Sequence, residues 1–377
     1  MSRKLEGLVL APHGFITGTL EFGDDGRISS VAGLPIDEER VRGHGGALIL
    51  PGFIDLHVHG GRGRDIMEGG DAAAEVARCH AEHGTTALLA TTMTAPHEDL
   101  ARAFEGLRDA VAARAHGAAR ILGVHLEGPF INSGKLGAQP DFARPVSMQE
   151  LAALHAVAPI RLVTLAPEVP GHMEAVQALT RAGFRVQLGH TLASYEEGVE
   201  AMARGARGVT HLFNAMTPLH HRAPGVVGAA LAHARYAEII PDLLHVHPGA
   251  IRVALRAIPR VYCVTDSTAA TGMPDGEYRL GRHAVTKCMG GVRLDDGTLA
   301  GSTLTMDEAL RNLVERLGLS LADASRRVST FAAEYLGLTD RGTLREGAWG
   351  DVVVLDRDLR LSDVFVEGAA IGHTHAA

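Results

Sequence analysis

Lysine is nearly missing from this chain: Lys4, Lys135 and Lys287 are the only three in 377 residues. Arginine carries the remaining positive charge, scattered along the chain, and the formal net charge is -8. A nucleic-acid partner needs clustered Lys and Arg against phosphate, so that class is excluded. Cysteine is scarce too. Cys79, Cys263 and Cys288 form no CxxC pair and, being three, cannot all be bridged, which fits a reduced, cytoplasmic setting. No uncharged apolar run approaches the length of a bilayer span, and the basic start MSRKLEGLVLAPHG lacks the apolar stretch of a signal peptide. With 46% apolar and 21% charged residues, the composition is that of a globular protein. Histidine is the informative residue: there are 21, many of them ending strand-like runs.

The length suits a large barrel with an accessory module. The first fifty residues read as short strands and turns (GLVL, GFITGTLEF, the GDDG turn, ISSVAG), half of a small β-sandwich. The C-terminal stretch GDVVVLDRDLRLSDVFVEG supplies its other half. The expected organisation is therefore residues 1–50 plus 340–377 as a sandwich, with 51–339 between them as a second domain. That middle alternates strand and helix. Apolar runs fall at 52–60, 85–93, 120–128, 160–168, 184–190, 208–216, 237–246 and 260–267, separated by Ala-rich amphipathic stretches such as DAAAEVARCHAEHG. Eight strands alternating with helices predict an α/β fold closed into a (β/α)8 TIM-like barrel. An open doubly wound sheet would place a GxGxxG loop after its first strand, and GGRGRD after His59 does not fit.

Polar residues collect at the C-terminal ends of these runs, the active face of such a barrel. The first ends in His57-Val58-His59, whose i and i+2 side chains point to one side and can face one metal. The third ends in His125-Leu126-Glu127, and a carboxylate at that depth must be paired, protonated or bound to a cation. His190, His211 and Asp266 end or lie within the fifth, sixth and eighth runs. Each alone has a plainer reading: a hydrogen-bonded core histidine, a helix N-cap for Asp266, an arginine partner for Glu127. Five such strand ends on one ring favour a metal site. Imidazole and carboxylate without thiolate suit Zn²⁺ or a similar divalent ion, which lowers the pKa of bound water to about 7. Asp266 is the expected general base, passing that proton to a leaving amine. The chemistry expected is hydrolysis of an amide or a related bond.

The segments PGFIDLHVHG, HLEGPFIN, GHT, THLFNAM, VTDS, LAGSTLTMDEALRNL and GTLREGAWGDVVVLD resemble the N-acetylglucosamine-6-phosphate deacetylase family of the amidohydrolase superfamily, over nearly the whole chain. The resemblance implies hydrolysis of N-acetylglucosamine-6-phosphate to glucosamine-6-phosphate and acetate by a cytoplasmic homodimer holding one or two divalent ions per subunit. Glu127, His190 and His211 would hold one ion; His57 and His59 would hold a second, with Glu127 bridging and Asp266 nearby. Superfamily members that bridge two metals with a carboxylated lysine need it on a middle strand, and all three lysines lie outside the eight runs. The resemblance also implies substrate contacts at Asn214, Ala215, His245 and the turn Leu299-Ala300-Gly301, with Arg222 reaching a neighbouring subunit's phosphate. Two segments that would also supply substrate contacts, through Ala138, Gln139 and Asp242, depart from the family pattern. Gly137-Ala138-Gln139 has glutamine where a histidine is usual, and Asp242-Leu243-Leu244-His245 has leucine where the pattern is Asp-Gly-x-His. Two other functions are weighed beside this one: a related amidohydrolase acting on N-acetylgalactosamine-6-phosphate or another N-acyl compound, and a barrel scaffold without activity, which the intact set of candidate ligands opposes.

Overall fold

The structure, a computed structural model, describes residues 4–41 and 43–372. Eight parallel strands form its centre: β1 (Phe53–Val58), β2 (Thr85–Thr92), β3 (Arg120–Glu127), β4 (Ile160–Leu165), β5 (Arg185–Leu188), β6 (Gly208–Val209), β7 (Tyr236–Ile239) and β8 (Arg260–Cys263). Strands β1 to β6 pair in sequence order, and β7 pairs with β8. Two seams close the ring. Leu212 N–H donates to Glu238 C=O at 2.9 Å between β6 and β7, and Asp266 N–H donates to His57 C=O at 2.9 Å between β8 and β1. This is the expected (β/α)8 barrel. The strands read as nearly continuous apolar runs because interior and helix-facing sides are both covered. The crossover helices bury one stripe: in the helix His97–Ala112, Leu100, Ala103, Phe104 and Leu107 recur at helical spacing and are buried.

Several runs end as strands earlier than their sequence suggests. The run 208–216 is a strand only over Gly208–Val209, because His211, Phe213 and Ala215 take φ of 27°, 85° and 50° and turn the chain out of the sheet. The run 237–246 stops at Ile239, before Pro241 and a left-handed Leu243. After β8, three short antiparallel strands (Gly276–Leu280, His283–Cys288, Gly291–Arg293) build a hairpin-like sheet that the sequence reading passed over. No helix among the described residues is long and apolar enough to cross a membrane.

Both chain ends meet in one seven-stranded sheet, in which Val352–Leu355 lies antiparallel to Leu48–Pro51. It has its own apolar core, including Val9, Leu20, Ile49, Val352 and the stacked pair Phe22 and Phe365, 5.2 Å apart. An ion cluster fastens this sheet to the barrel. Glu367 takes both Arg120 Nε and Nη2 at 2.9 Å, Arg114 Nε at 3.1 Å and Arg341 Nη2 at 2.5 Å. Burial works against the ionised carboxyl, yet Arg120 and Arg341 bring it down to about 2. A depressed carboxyl stabilises the fold above its unfolded value, and the contribution is lost as pH falls toward 2. Glu367→Gln is expected to cost about 1.5–3 kcal/mol at pH 7, the range for hydrogen bonds to charged groups. Denaturant unfolding should show that deficit shrinking between pH 4 and pH 2; an equal deficit at both ends would contradict it.

Candidate metal centre and active site

The C-terminal mouth of the barrel holds a cavity of about 400 Å³, within the range of small-molecule sites. Its floor is made of the strand-end residues. His57 on β1 and His59 just past its end, two residues apart, face the interior together with their Nε2 atoms 3.1 Å apart. Glu127, the last residue of β3, reaches both groups of histidines. Its Oε1 is 3.0 Å from His190 Nε2 and 3.0 Å from His211 Nε2; its Oε2 is 3.1 Å from His59 Nε2 and 3.4 Å from His57 Nε2. Asp266 Oδ1 completes the ring at 3.3 Å from His59 Nε2 and 3.5 Å from His57 Nε2. The six residues are thus adjacent, and Glu127 pairs with histidines rather than with an arginine.

His190, His211 and Asp266 lie just beyond their strands at φ of 49°, 27° and 52°. Left-handed backbone at three residues of one site is a cost that functional sites commonly carry. At Asp266 the turn is held from the far side: its C=O accepts Ser302 N–H at 2.7 Å. That approach needs the preceding glycine, since a Cβ on Gly301 would sit 2.5 Å from Thr268 Cγ2 and 2.8 Å from the Asp266 carbonyl oxygen. The LAGST turn is therefore glycine-bearing for a steric reason.

The hydrogen bonding around the ring supports a cation. His57 Nδ1 faces Glu238 Oε2 at 3.2 Å, His59 Nδ1 faces Thr91 C=O at 3.2 Å, and His190 Nδ1 faces Lys135 C=O at 2.8 Å. Each acceptor draws the ring hydrogen to Nδ1, which leaves the lone pair on Nε2. Three Nε2 lone pairs then converge on the carboxylates of Glu127 and Asp266, an arrangement of acceptors that repel unless positive charge sits among them. Protons feel the same pull. Burial lowers His57 and His59, yet Glu127 and Asp266 raise His57 well above its ordinary value and His59 to about 9. The two carboxyls move the other way: burial would raise them, and the histidines hold Glu127 well below and Asp266 below the usual carboxylate range. Three donor triads could each hold an ion, and two of them share Glu127: His57, His59, Glu127 and Glu127, His190, His211; the third is His57, His125 and Glu238.

Of the anticipated substrate contacts, Ala138, Gln139, Asn214, Ala215, His245, Leu299 and Gly301 line the cavity. Ala300 is buried behind its turn. Asp242 stands behind His245, accepting from its Nδ1 at 2.6 Å. Arg222 lies outside the cavity on an exposed loop, 2.7 Å from His221 Nε2. Gln139 is buried and oriented: Oε1 accepts Thr94 N–H at 2.6 Å, and Nε2 donates to Glu127 Oε2 at 2.7 Å. Leu243, where the resembling pattern has glycine, takes φ 65°, the backbone region that favours glycine. None of the three lysines is in a barrel strand. Residues not anticipated are Glu238, whose place in the run AEIIP is as costly for a carboxylate as that of Glu127, and Met93 and Leu280, which line the cavity from β2's end and the added hairpin.

A parallel eight-stranded barrel carrying a histidine–carboxylate ring at its C-terminal mouth defines the class of metal-dependent barrel hydrolases. Residues 48–371 match the model of the amidohydrolase family. The chain is 39% identical over 330 residues to an N-acetylglucosamine-6-phosphate deacetylase of Lysinibacillus sphaericus, covering 86% of this chain and 85% of that one. It is 38% identical over 351 residues to an N-acetylgalactosamine-6-phosphate deacetylase of Escherichia coli, covering 91% and 92%. Among solved structures, an aspartate-to-alanine mutant of N-acetyl-D-glucosamine-6-phosphate deacetylase from Mycobacterium smegmatis, in complex with N-acetyl-D-glucosamine-6-phosphate, superposes with a TM-score of 0.89 at 34% identity over 99% of both chains. The chain belongs to the N-acetylglucosamine-6-phosphate deacetylase family within the amidohydrolases.

Proposed function

We propose that this protein is a metal-dependent deacetylase that hydrolyses N-acetylglucosamine-6-phosphate to glucosamine-6-phosphate and acetate. The observation that carries the reading is the convergence of four histidine Nε2 atoms on the Glu127 carboxylate, in a cavity of a size for one phosphosugar. Glu127, His190 and His211 would hold one divalent ion; His57 and His59, sharing Glu127, would hold a second. Zn²⁺ suits this mixed imidazole and carboxylate set. When bound, such ions supply Lewis acidity that polarises an amide carbonyl and acidifies water.

The chain's own groups supply the rest. Asp266, ionised at neutral pH, is placed to accept a proton from water at Oδ1 and return it to the departing amine. Asp242 accepts from His245 Nδ1 at 2.6 Å and so orients the imidazole at the cavity wall, where it would meet the phosphosugar. Gln139 fixes the Glu127 carboxylate through one N–H and has a second available to a substrate oxygen. Three unpaired cysteines support placing the enzyme in the reducing cytoplasm.

The 38% identity to the galactosamine-type deacetylase favours a second reading, in which N-acetylgalactosamine-6-phosphate is turned over. Acetate release from the two epimers, measured side by side at saturating Zn²⁺, separates them, and the first reading requires the gluco substrate to have the higher kcat/KM. The exposed position of Arg222, outside its own cavity, supports a homodimer in which it reaches the phosphate in the neighbouring site. Arg222→Ala is then expected to lower kcat/KM for the phosphorylated substrate about 10- to 100-fold, as for a lost charge-assisted hydrogen bond of about 1.5–3 kcal/mol. Activity on unphosphorylated N-acetylglucosamine should change less than about twofold. Equal losses on both substrates would remove the phosphate role.

A further inference from the structure

Glu238 stands inside β7, fully buried beneath the ring of histidines, and its one ion-pair partner among the described residues is His57. A carboxylate at this depth is expensive, and an apolar side chain would fill the same space without the cost. Its contacts indicate what it does. Oε2 accepts from His57 Nδ1 at 3.2 Å and from the His211 backbone N–H at 3.3 Å. Oε1 accepts the Tyr262 hydroxyl at 3.2 Å, and Gln187 Nε2 donates to that hydroxyl at 2.6 Å, so the carboxylate is held in place from below.

The contact with His57 determines which ring nitrogen is free. With the hydrogen drawn to Nδ1, the Nε2 lone pair points at Glu127 and Asp266, where a cation would sit. The contact with His211 steadies a residue at φ 27°, which a side chain adopts only under constraint. One oxygen therefore touches a residue from each of the two triads that share Glu127, although it belongs to neither of those two. We propose that Glu238 is a positioning residue that sets His57 as an Nε2 donor toward a metal ion and braces the turn that presents His211. The inference rests on the two-ion reading given above.

The test is calorimetric titration of Zn²⁺ into metal-stripped full-length protein, repeated with Co²⁺ to follow its visible spectrum. Wild type is expected to show two binding events, the one belonging to His57 and His59 being that which His59→Ala removes. Glu238→Ala should weaken that event about 100-fold and shift the Co²⁺ spectrum, the size of loss seen when a ligand's outer partner is removed. Glu238→Gln keeps the shape and one acceptor for Nδ1–H, and should lie between, weakened about tenfold; it carries the test if the alanine variant fails to fold. In both, kcat should fall more than KM rises. Two events in wild type, with the His57 event within twofold of normal in a folded variant, would overturn the proposal alone. A single event in wild type would overturn it together with the two-ion reading.

Discussion

His211→Ala is expected to yield a folded protein that loses the ion of the Glu127, His190 and His211 triad through gel filtration and does not release acetate. The imidazole supplies one of three donors in the triad with Glu127 and His190, each 3.0 Å from the same Glu127 oxygen. Outer partners of metal ligands are worth about 10–100-fold in affinity, so losing a ligand itself should cost at least about 100-fold. His190→Ala should behave alike, since its Nδ1 is set by the Lys135 carbonyl for the same purpose. Elemental analysis of the dialysed protein reads the result. A His211→Ala protein with full metal content would remove Glu127, His190 and His211 as a site. Circular dichroism guards against a trivial loss, because removing a buried side chain also leaves a cavity.

Asp266→Asn separates binding from proton transfer. The amide matches the carboxylate in shape but cannot take a proton from water as a carboxylate does, and such a loss is typically about 10²–10⁴-fold in rate. KM should stay within a few-fold of normal, because the amide keeps the shape of a side chain that lies beside His59 and His57 on the cavity floor. The bonds that hold the Asp266 backbone, its N–H to His57 C=O and its C=O from Ser302 N–H, do not involve the side chain being changed. Near-normal kcat in this variant would show that the base lies elsewhere.

Much of this site could be read from residue order because strand geometry leaves few choices. Alternation on β1 places His57 and His59 on one side, and burial makes an unpaired Glu127 untenable, so both were accessible to simple rules. His190, His211 and Asp266 read as strand residues in the sequence, yet each sits past its strand on a left-handed turn, which no periodicity reports. The burial cost that singles out Glu127 applies equally to Glu238, but Glu238 lies near the start of the run 237–246 rather than at its end, so attention to strand ends passes over it. The strands from Gly276 to Arg293 were missed because their alternation is interrupted by turns every few residues and buries only Leu280, Val285, Gly291 and Val292. Leu243 shows the opposite case. A departure from pattern was visible in the sequence, while its consequence, a leucine at φ 65°, needed the backbone. Arg222 marks where one chain runs out, since its expected partner is the site of a second copy.

The most direct measurement of the account is acetate release from N-acetylglucosamine-6-phosphate by the full-length protein, stripped with a chelator and then titrated with Zn²⁺. Two acceptor-rich triads sharing Glu127 predict negligible turnover in the stripped protein and recovery that saturates near two ions per chain. Full activity after stripping, verified metal-free by elemental analysis, would contradict it.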